Sequence, residues 1–223
     1  MISVLVPTFG RPGRLADVTA NILGATRAEC EVVLIAEADD PESVAAAEAI
    51  PDAVLVVNSR AHSWSGAIND GFAHMRGDLY FTGSDDLNFH DGWDVPALAV
   101  LASDPGLRVC GTNDLAHPAS WISEWSTSHL VDRRYIDETG GVIDQPPGIC
   151  QNEAYDHNYT DTEFVATAKY RGVFAPCLAS IVEHMHFTVG KSPLDATYEL
   201  SGRHFDDDRK IYESRWHLWD GAS

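Results

Sequence analysis

The feature that most constrains the fold is an alternation of short β-branched runs with segments of helical periodicity in the first half of the chain. Three runs have the length and apolar composition of buried strands: residues 3–7, 31–35 and 53–57. Apolar residues recur at helical spacing in the segments between and after them, followed by a fourth strand: residues 13–28, 41–49, 65–75 and then 77–82. Strands that alternate with helices form βαβ units, so the sequence predicts an α/β fold with a parallel sheet.

The pattern changes beyond about residue 115, which bears on the domain organisation. This part is rich in aromatic residues and contains Gly-Gly at 140–141 and Pro-Pro at 146–147, as loops do. The chain of 223 residues has neither an internal repeat nor a linker long enough to separate two domains. We therefore predict one domain over 1–223, in which the halves 1–115 and 116–223 share one sheet.

Charge, hydropathy and cysteine spacing exclude several classes of protein. The 34 acidic and 15 basic residues give a net charge of -19, which repels nucleic acids and anionic membranes. No apolar run approaches the roughly 18 residues of a membrane span, and the first residues fit a core strand better than a signal peptide. A cytoplasmic protein without a membrane span is expected. The four cysteines form no C-x-x-C pair, so we predict buried free thiols.

The turn after the first strand is a candidate nucleotide site. Following Pro7, Thr8 offers a hydroxyl, Phe9 an aromatic ring and Arg11 a guanidinium. These groups could stack on a base, hydrogen-bond it and approach a phosphate or ribose. A plain strand-to-helix turn often contains the same residues, and the turn alone favours neither interpretation.

The second strand also ends in acidic side chains. Glu37 and Asp39 could accept hydrogen bonds from a base or ribose. Asp40 directly precedes Pro41, a residue typical of a first helical turn, and it fits the N-cap of that helix. Glu37 and Asp39 therefore stay as ligand candidates, and Asp40 is interpreted as a cap.

Asp85 and Asp86 follow the fourth strand, at the edge of a parallel sheet where ligands bind. Two adjacent carboxylates are stabilised by a nearby cation. Carboxylate oxygens, together with a diphosphate and water, are typical ligands of Mg²⁺ or Mn²⁺. The alternative is an Asp-Asp pair in an ordinary surface turn.

Two clusters in the second half could carry chemistry. An extended chain would place His184 and His186 on one face, where they could share a metal ion, and Lys191 beyond them could neutralise a departing diphosphate. Asp161 and Glu163 open a predicted helix. One of them could be a general base, or the two could belong to an N-terminal capping arrangement.

In this order, the motifs resemble GT-A glycosyltransferases of family two, especially short phage and bacterial members. The matching positions are Pro7, Phe9 and Arg11, then Glu37 or Asp39, then Asn69, then Asp85 and Asp86 followed by Phe89, Gly92 and Trp93. Ser84 stands where the Asp-x-Asp motif of the family has its first aspartate. The resemblance extends over about residues 1–195.

The resemblance implies a GT-A fold, with a Rossmann-like mixed central sheet flanked by helices. It implies that 1–115 binds a nucleotide sugar and 116–223 an acceptor. The implied function is metal-dependent transfer of a sugar from a UDP- or GDP-sugar to an acceptor hydroxyl, with inversion favoured, in the host cytoplasm if the chain is phage-encoded. Alternatives are a sugar-nucleotide nucleotidyltransferase and a non-catalytic sugar-binding protein.

The resemblance also implies roles for particular residues. Asp86 and one of the two histidines would hold Mn²⁺ or Mg²⁺, and Asp85 would contact the ribose or a metal-bound water. Asn69 would lie near the nucleotide. Asp161, or less favourably Glu163, would be the base on the acceptor side.

The acceptor is constrained least. A protein, glycan or small-molecule hydroxyl is favoured over a modified DNA base because of the acidic charge. Aromatic residues of the second half could stack on a sugar, although filling the core is the favoured interpretation: Trp121, Trp125, Tyr135 and Tyr155. The charged segment 203–215 is predicted to be a helical tail, with Asp206, Asp207 and Asp208 on a solvated face.

Overall fold

The computed structural model describes residues 1–58, 63–116 and 125–219. Within these residues, eight strands form one sheet in the order β3-β2-β1-β4-β7-β6-β8-β5. The strands are β1 (Ile2–Thr8), β2 (Cys30–Glu37), β3 (Ala53–Asn58), β4 (Leu79–Thr82), β5 (Leu87–Phe89), β6 (Val109–Asn113), β7 (His129–Asp132) and β8 (Phe174–His184). The sheet therefore takes strands from both halves of the chain.

The sheet is parallel where the sequence alternates and mixed beyond it. Strand β1 lies between β2 and β4, and β2 carries β3 on its other side, all in parallel. Strand β7 then runs antiparallel to both β4 and β6, while β8 runs parallel to β6 and antiparallel to β5. A mixed sheet flanked by helices confirms the predicted fold class.

The described part of the chain has seven α-helices, of which six lie between strands and the last follows β8. They are α1 (Leu15–Ala25), α2 (Pro41–Glu48), α3 (Trp64–His74), α4 (Asp94–Ser103), α5 (Arg133–Thr139), α6 (Thr160–Tyr170) and α7 (Ala196–Arg215). Short 3₁₀ helices occupy Pro12–Arg14, Phe187–Val189 and Trp216–Leu218. Asp40 caps α2 as predicted, because its Oδ1 accepts a hydrogen bond from the Ser43 amide at 3.1 Å.

The core lies on both faces of the sheet. All seven residues of β1 are buried, and consecutive side chains point to opposite faces. Val4 and Val6 belong to the apolar cluster on one face, which α1 and α4 cover. Leu5 belongs to the cluster on the other face, with residues of α3 such as Ile68. Burial on both faces explains why these strands read as continuous apolar runs.

An aromatic cluster anchors the segment after the Asp pair. Phe81, Phe89 and Trp93 pack edge to face, with ring centroids 4.7–5.3 Å apart. The Trp93 indole Nε1 donates to Thr26 Oγ1 at 3.0 Å, which satisfies its one polar atom in the core. The phenylalanine and Gly-Trp segment thus fixes β5 and the start of α4 beneath the sheet edge.

The structure bears on the predictions about the cysteines and about a membrane span. Cys110, Cys150 and Cys177 are buried free thiols, as predicted, and Cys30 is free and half-buried. In the described ranges, no helix is both long and apolar enough to cross a membrane.

Candidate active site

A cavity of about 490 Å³ opens at the carboxyl ends of β1, β2 and β4. Ten of the fourteen site residues predicted from the sequence line it: Pro7, Thr8, Phe9, Arg11, Glu37, Asp85, Asp86, Asp161, His184 and His186. Residues of α3, α6 and α7 complete the wall. The cavity therefore brings together motifs that are up to about 180 positions apart in the sequence.

Asp85 and Asp86 are both buried at the base of this cavity. Gly83 precedes them and packs so closely on β1 that a Cβ atom there would lie 2.6 Å from the Leu5 carbonyl oxygen. Asp85 accepts hydrogen bonds from Thr8 Oγ1 at 2.8 Å and from Arg11 Nη1 at 2.9 Å. Burial and the neighbouring Asp86 charge raise the pKa of Asp85 to about 6 despite these contacts.

The pairing of β5 with β8 brings His184 into contact with Asp86. Strand β5 aligns Leu87 with His184, and the Met185 amide donates to the Asp86 carbonyl at 2.8 Å. His184 Nε2 then lies 3.2 Å from Asp86 Oδ2. Burial works to raise the pKa of Asp86, but its bond to His184 outweighs this and the pKa lies far below its usual range. Burial likewise opposes the charged form of His184, yet contact with Asp86 raises the pKa of this histidine.

His186 lines the same cavity without contacting Asp86. Strand β8 ends at His184, but the backbone is still extended at His186, and the two imidazole rings lie 5.0 Å apart, as predicted for side chains on one face. Its ring packs against Tyr198 at 4.5 Å, and its Nδ1 lies 2.8 Å from Thr188 Oγ1. Burial and the His184 charge lower the pKa of His186 to about 4.

The donor atoms around Asp86 fit a divalent ion that is shared with a ligand. Within the residues described, no group of three or more His, Cys, Asp or Glu side chains is arranged to hold a metal alone. Asp86 and His184 nevertheless offer one carboxylate and one imidazole at a common point, a combination that suits Mn²⁺ better than Mg²⁺. A diphosphate and water would supply the remaining ligands.

Arg11 is held by carboxylates on two sides. Its Nε and Nη2 atoms donate to the two oxygens of Asp195 at 2.9 Å, and its Nη1 atom donates to Asp85. The guanidinium also lies 4.0 Å over the ring of Tyr198. These three hydrogen bonds occupy all three guanidinium nitrogens, so Arg11 links the first turn to the start of α7.

The other residues of the first two strands form one side of the cavity. Pro7, Thr8 and Phe9 line it at the end of β1, and Glu37 lines it at the end of β2. Glu37 is 5% exposed and accepts hydrogen bonds from Asn58 Nδ2 at 3.1 and 3.2 Å. An aromatic ring, a hydroxyl and an oriented carboxylate thus face the same space.

Asp161 and Glu163 lie on the same helix, but their side chains point to different surroundings. Asp161 lines the cavity, whereas Glu163 is absent from its wall. Glu163 is buried against Arg215, whose Nε and Nη2 atoms lie 2.9 Å from its oxygens, and it also accepts from Tyr155 at 2.5 Å. Helix α6 has no side-chain cap, so the capping interpretation is not what the structure shows. Of the two candidates for a base, the structure brings Asp161 alone to the cavity.

Burial makes Asp161 a weaker acid than an aspartate in water. It sits in the first turn of α6, and its Oδ1 accepts from the Thr162 amide at 2.7 Å. Burial raises the pKa of Asp161 to about 6, while the bonds from Thr162 and the charge of His184 act in the opposite direction. A carboxylate with a raised pKa is a stronger base than one in water.

Four predicted site residues lie outside the cavity wall: Asp39, Asn69, Glu163 and Lys191. Asp39 is exposed in the turn after β2. Asn69 is buried, where its Oδ1 accepts from the amides of Cys150 and Gln151 at 2.9 Å. Lys191 pairs with Glu183 at 2.7 Å. Asn69, Glu163 and Lys191 thus contact other protein groups in place of the predicted ligand.

The aromatic candidates also divide between core and cavity. Tyr135 and Tyr155 are buried in the core, and Trp125 lines the cavity. Trp121 lies outside the described residues.

Helix α7 is the functional element that the sequence did not reveal. It is longer than the predicted tail, and six residues at and after its start line the cavity: Thr197, Tyr198, Leu200, Ser201, His204 and Phe205. Tyr198 donates from its hydroxyl to Asp86 Oδ2 at 2.9 Å, and Thr197 donates to the Phe9 carbonyl at 2.9 Å. The final helix therefore closes one side of the site.

Asp208 is fully buried, so the prediction of a solvated position is wrong. Its oxygens accept hydrogen bonds from the backbone amides of Asp156, His157 and Asn158 at 2.7–3.1 Å. Tyr159, which follows, has a φ of 63°, a conformation that is uncommon for residues other than glycine. One carboxylate thus holds the loop that leads into α6 and Asp161.

We predict that Asp208→Ala lowers the free energy of unfolding by about 3 kcal/mol, because three backbone amides lose a buried, charged acceptor. Urea denaturation followed by circular dichroism measures this change. Asp207→Ala is the matched control, since Asp207 is exposed on the same helix and pairs with Lys210. Its effect should stay within about 0.5 kcal/mol. Equal effects of the two substitutions would contradict the role of Asp208.

Comparison with known proteins decides the family. The model of Glycosyl transferase family 2 matches residues 3–175, which include the first turn, the Asp pair and Asp161. The chain belongs to this family. Family membership confirms the prediction of a glycosyltransferase, the function that the sequence favoured over a nucleotidyltransferase or a non-catalytic binding protein.

Solved structures agree with the family in fold. A complex of glucosyl-3-phosphoglycerate synthase from Mycobacterium tuberculosis with Mn²⁺, UDP and glucosyl-3-phosphoglycerate has a TM-score of 0.69 at 13% identity, covering 99% of this chain and 81% of that one. A mannosyltransferase from Pyrobaculum calidifontis in complex with GDP-Man and Mn²⁺ has a TM-score of 0.61 at 16% identity, covering 95% and 64%. The family 2 glycosyltransferase therefore has the GT-A fold. Its phage or bacterial origin stays a prediction.

Proposed function

We propose that this glycosyltransferase moves a sugar from a nucleotide-diphosphate sugar to an acceptor hydroxyl, with a divalent ion and with inversion. The observation that carries the proposal is the contact of Asp86 with His184 across 98 positions of sequence. This contact lies in one cavity with the first-strand turn and with Asp161.

The donor would lie along the strand ends of the first half. Phe9 and Thr8 would contact the base, and Glu37 would accept hydrogen bonds from the base or the ribose. Asp85 would contact the ribose, since it lies between Thr8 and Asp86 at the cavity base. Structural relatives support this placement, because they were solved with UDP or GDP-Man bound.

Asp86 and His184 would hold the divalent ion, with Mn²⁺ favoured over Mg²⁺ by the imidazole ligand. When bound, such an ion stabilises the negative charge that develops on the departing nucleoside diphosphate. The chain itself prepares the site: Tyr198 and Ser84 donate hydrogen bonds to the two oxygens of Asp86. These bonds fix the carboxylate in the orientation in which it meets His184.

Asp161 would act as the general base. It would take the proton of the acceptor hydroxyl while that oxygen bonds to the anomeric carbon, and the bond from this carbon to the diphosphate breaks. Attack on the side opposite the departing group gives inversion. Nuclear magnetic resonance of the product's anomeric proton tests the stereochemistry, and a product with the donor's configuration would contradict this step.

The test of the proposed function is release of nucleoside diphosphate from a panel of UDP- and GDP-sugars. We expect release by the purified protein with Mn²⁺ and its loss when EDTA is added. Reactions without protein measure how fast the metal alone hydrolyses the sugar nucleotide. Release at the same rate with EDTA as with Mn²⁺ would contradict metal dependence. If no donor releases its nucleoside diphosphate, the proposed transfer from these donors is wrong.

The rate of transfer should depend on pH through Asp161. The base must be ionised, and its pKa is raised to about 6, so kcat should fall about tenfold for each pH unit below 6. A carboxylate with an ordinary pKa of about 4 would keep kcat constant down to about pH 5. Measurement at saturating Mn²⁺ and donor separates this effect from weaker metal binding. A profile that is flat between pH 5 and 7 would contradict the assignment.

A further inference from the structure

A wall of the cavity next to Asp161 combines aromatic and polar side chains. We define the acceptor wall as Trp64, Asp156, Tyr159, His204 and Phe205, all of which line the cavity. The Trp64 amide donates to the Asp156 carbonyl at 3.1 Å, and His204 Nδ1 lies 3.0 Å from Asp156 Oδ2. The rings of Tyr159 and Phe205 are 5.4 Å apart. These contacts join α3, the loop before α6 and α7 into one surface.

The charges around this wall are mainly negative. Five carboxylates line the cavity: Glu37, Asp85, Asp86, Asp156 and Asp161. Among the described lining residues, Arg11 is the one that carries a permanent positive charge, and its guanidinium is bound by Asp85 and Asp195. In the described part of the cavity wall, an acceptor phosphate or carboxylate would therefore meet these carboxylates with no lysine or unbound arginine side chain to pair with.

Aromatic rings and carboxylates together suit a different kind of molecule. The C–H faces of a sugar ring pack on aromatic side chains, and its hydroxyls donate hydrogen bonds to carboxylates without a charge penalty. A cavity of about 490 Å³ has the size of known small-molecule sites. Each feature of the wall thus matches a neutral polyhydroxyl ligand.

We propose that the acceptor is an uncharged saccharide that binds against the acceptor wall, with one hydroxyl directed to Asp161. The inference deepens the proposed function and rests on it. It separates this chain from the glucosyl-3-phosphoglycerate synthase of Mycobacterium tuberculosis, which was solved with phosphoglyceric acid, an anion. The two proteins share a fold at 12% identity, so their acceptor sites are free to differ.

Saturation-transfer-difference NMR of the protein with UDP and Mg²⁺ tests the acceptor class directly. The neutral probes are methyl α-glucoside, methyl α-mannoside, maltose and cellobiose. The anionic probes are glucose 6-phosphate, mannose 6-phosphate and 3-phosphoglycerate. We expect saturation transfer to at least one neutral probe, and at least tenfold weaker transfer to the anionic probes.

The outcomes separate the two claims. The nucleotide signal reports on the donor site. If UDP gives none, the measurement is repeated with GDP, and the absence of a signal from both nucleotides would contradict the proposed function. A UDP signal without transfer to any neutral probe, or with equal transfer to the phosphorylated probes, would overturn the acceptor inference alone.

Phe205→Ala locates the binding surface. It removes an aromatic ring of the acceptor wall, so we expect the signal of the neutral sugar to fall at least fivefold while the UDP signal is unchanged. Trp216→Ala is the matched control, because Trp216 is a similarly exposed aromatic residue just after α7 and outside the cavity wall. Its sugar signal should equal that of the unmodified protein. Equal losses in both variants, or no loss in Phe205→Ala, would contradict this placement.

Discussion

Replacing Asp86 with asparagine is expected to lower kcat for transfer about a thousandfold, with the fold intact. The amide is nearly isosteric: its oxygen can accept the hydrogen bond of one of the two hydroxyls, Ser84 or Tyr198, and its NH₂ group can donate to the other. It is nevertheless a poor ligand for a hard divalent ion. Loss of that ion removes about 4 kcal/mol of stabilisation from the transition state, which corresponds to this factor. Steady-state kinetics at several Mn²⁺ concentrations measure both kcat and the apparent metal affinity.

Asp91→Asn is the matched control for this substitution. Asp91 lies on an exposed turn after β5, five positions beyond Asp86, and pairs with Arg27. Its removal should leave kcat within about twofold, since exposed ion pairs contribute little. If Asp86→Asn keeps the turnover and Mn²⁺ dependence of the unmodified protein, Asp86 is not a metal ligand.

Asp161→Asn is expected to lower kcat by about a hundredfold to ten-thousandfold, the usual contribution of a general base. The KM for the donor should stay nearly constant, because a general base contacts the acceptor hydroxyl rather than the nucleotide. The remaining rate should also lose its dependence on pH near 6. This combination distinguishes a base from a residue that binds the donor.

Asp156→Asn shows whether any carboxylate in the cavity would have the same effect. Asp156 also lines the cavity and pairs with His204, but it belongs to the acceptor wall. Its substitution should change the KM for the acceptor and keep kcat within about tenfold. If Asp161→Asn instead raised only the KM for the donor, Asp161 would have a binding role and the assigned base would be wrong.

The parallel half of the fold could be predicted because its signals are local. Strands β1 and β2 are buried on both faces, which requires continuous apolar runs in the sequence. The cap of α2 was readable for the same reason, since Asp40 and Pro41 are neighbours in sequence. The order of β5 to β8 depends on pairings between distant segments, so local patterns did not predict it, and the resemblance implied only that the sheet is mixed.

The sequence predicted the residues that line the cavity better at the ends of strands than on helices. Thr8, Phe9 and Asp85 follow strands, whose carboxyl ends meet at one edge. Asp161 and Glu163 stand two positions apart on α6, so they point about 200° apart around its axis. That spacing could have shown that only one of them faces a given cavity. Choosing between them required the contact of Glu163 with Arg215.

The role of α7 was hidden because its charged residues dominate its composition. A periodic signal was nevertheless present: Tyr198, Phe205, Asp208 and Tyr212 recur at intervals of three, four or seven residues. Tyr198 and Phe205 line the cavity, and Asp208 holds the adjacent loop. The ion pair of Arg11 with Asp195 joins residues 184 positions apart, and no local pattern could have predicted it.

Electron spin echo spectroscopy of Mn²⁺ bound with UDP tests most directly whether Asp86 and His184 hold the metal. We predict modulation of the echo by the nitrogen of one coordinated imidazole. This signal should be lost in His184→Ala and retained in His186→Ala, and Asp86→Asn should lose tight Mn²⁺ binding. Mn²⁺ without a coordinated nitrogen, or an unchanged nitrogen signal in His184→Ala, would contradict it.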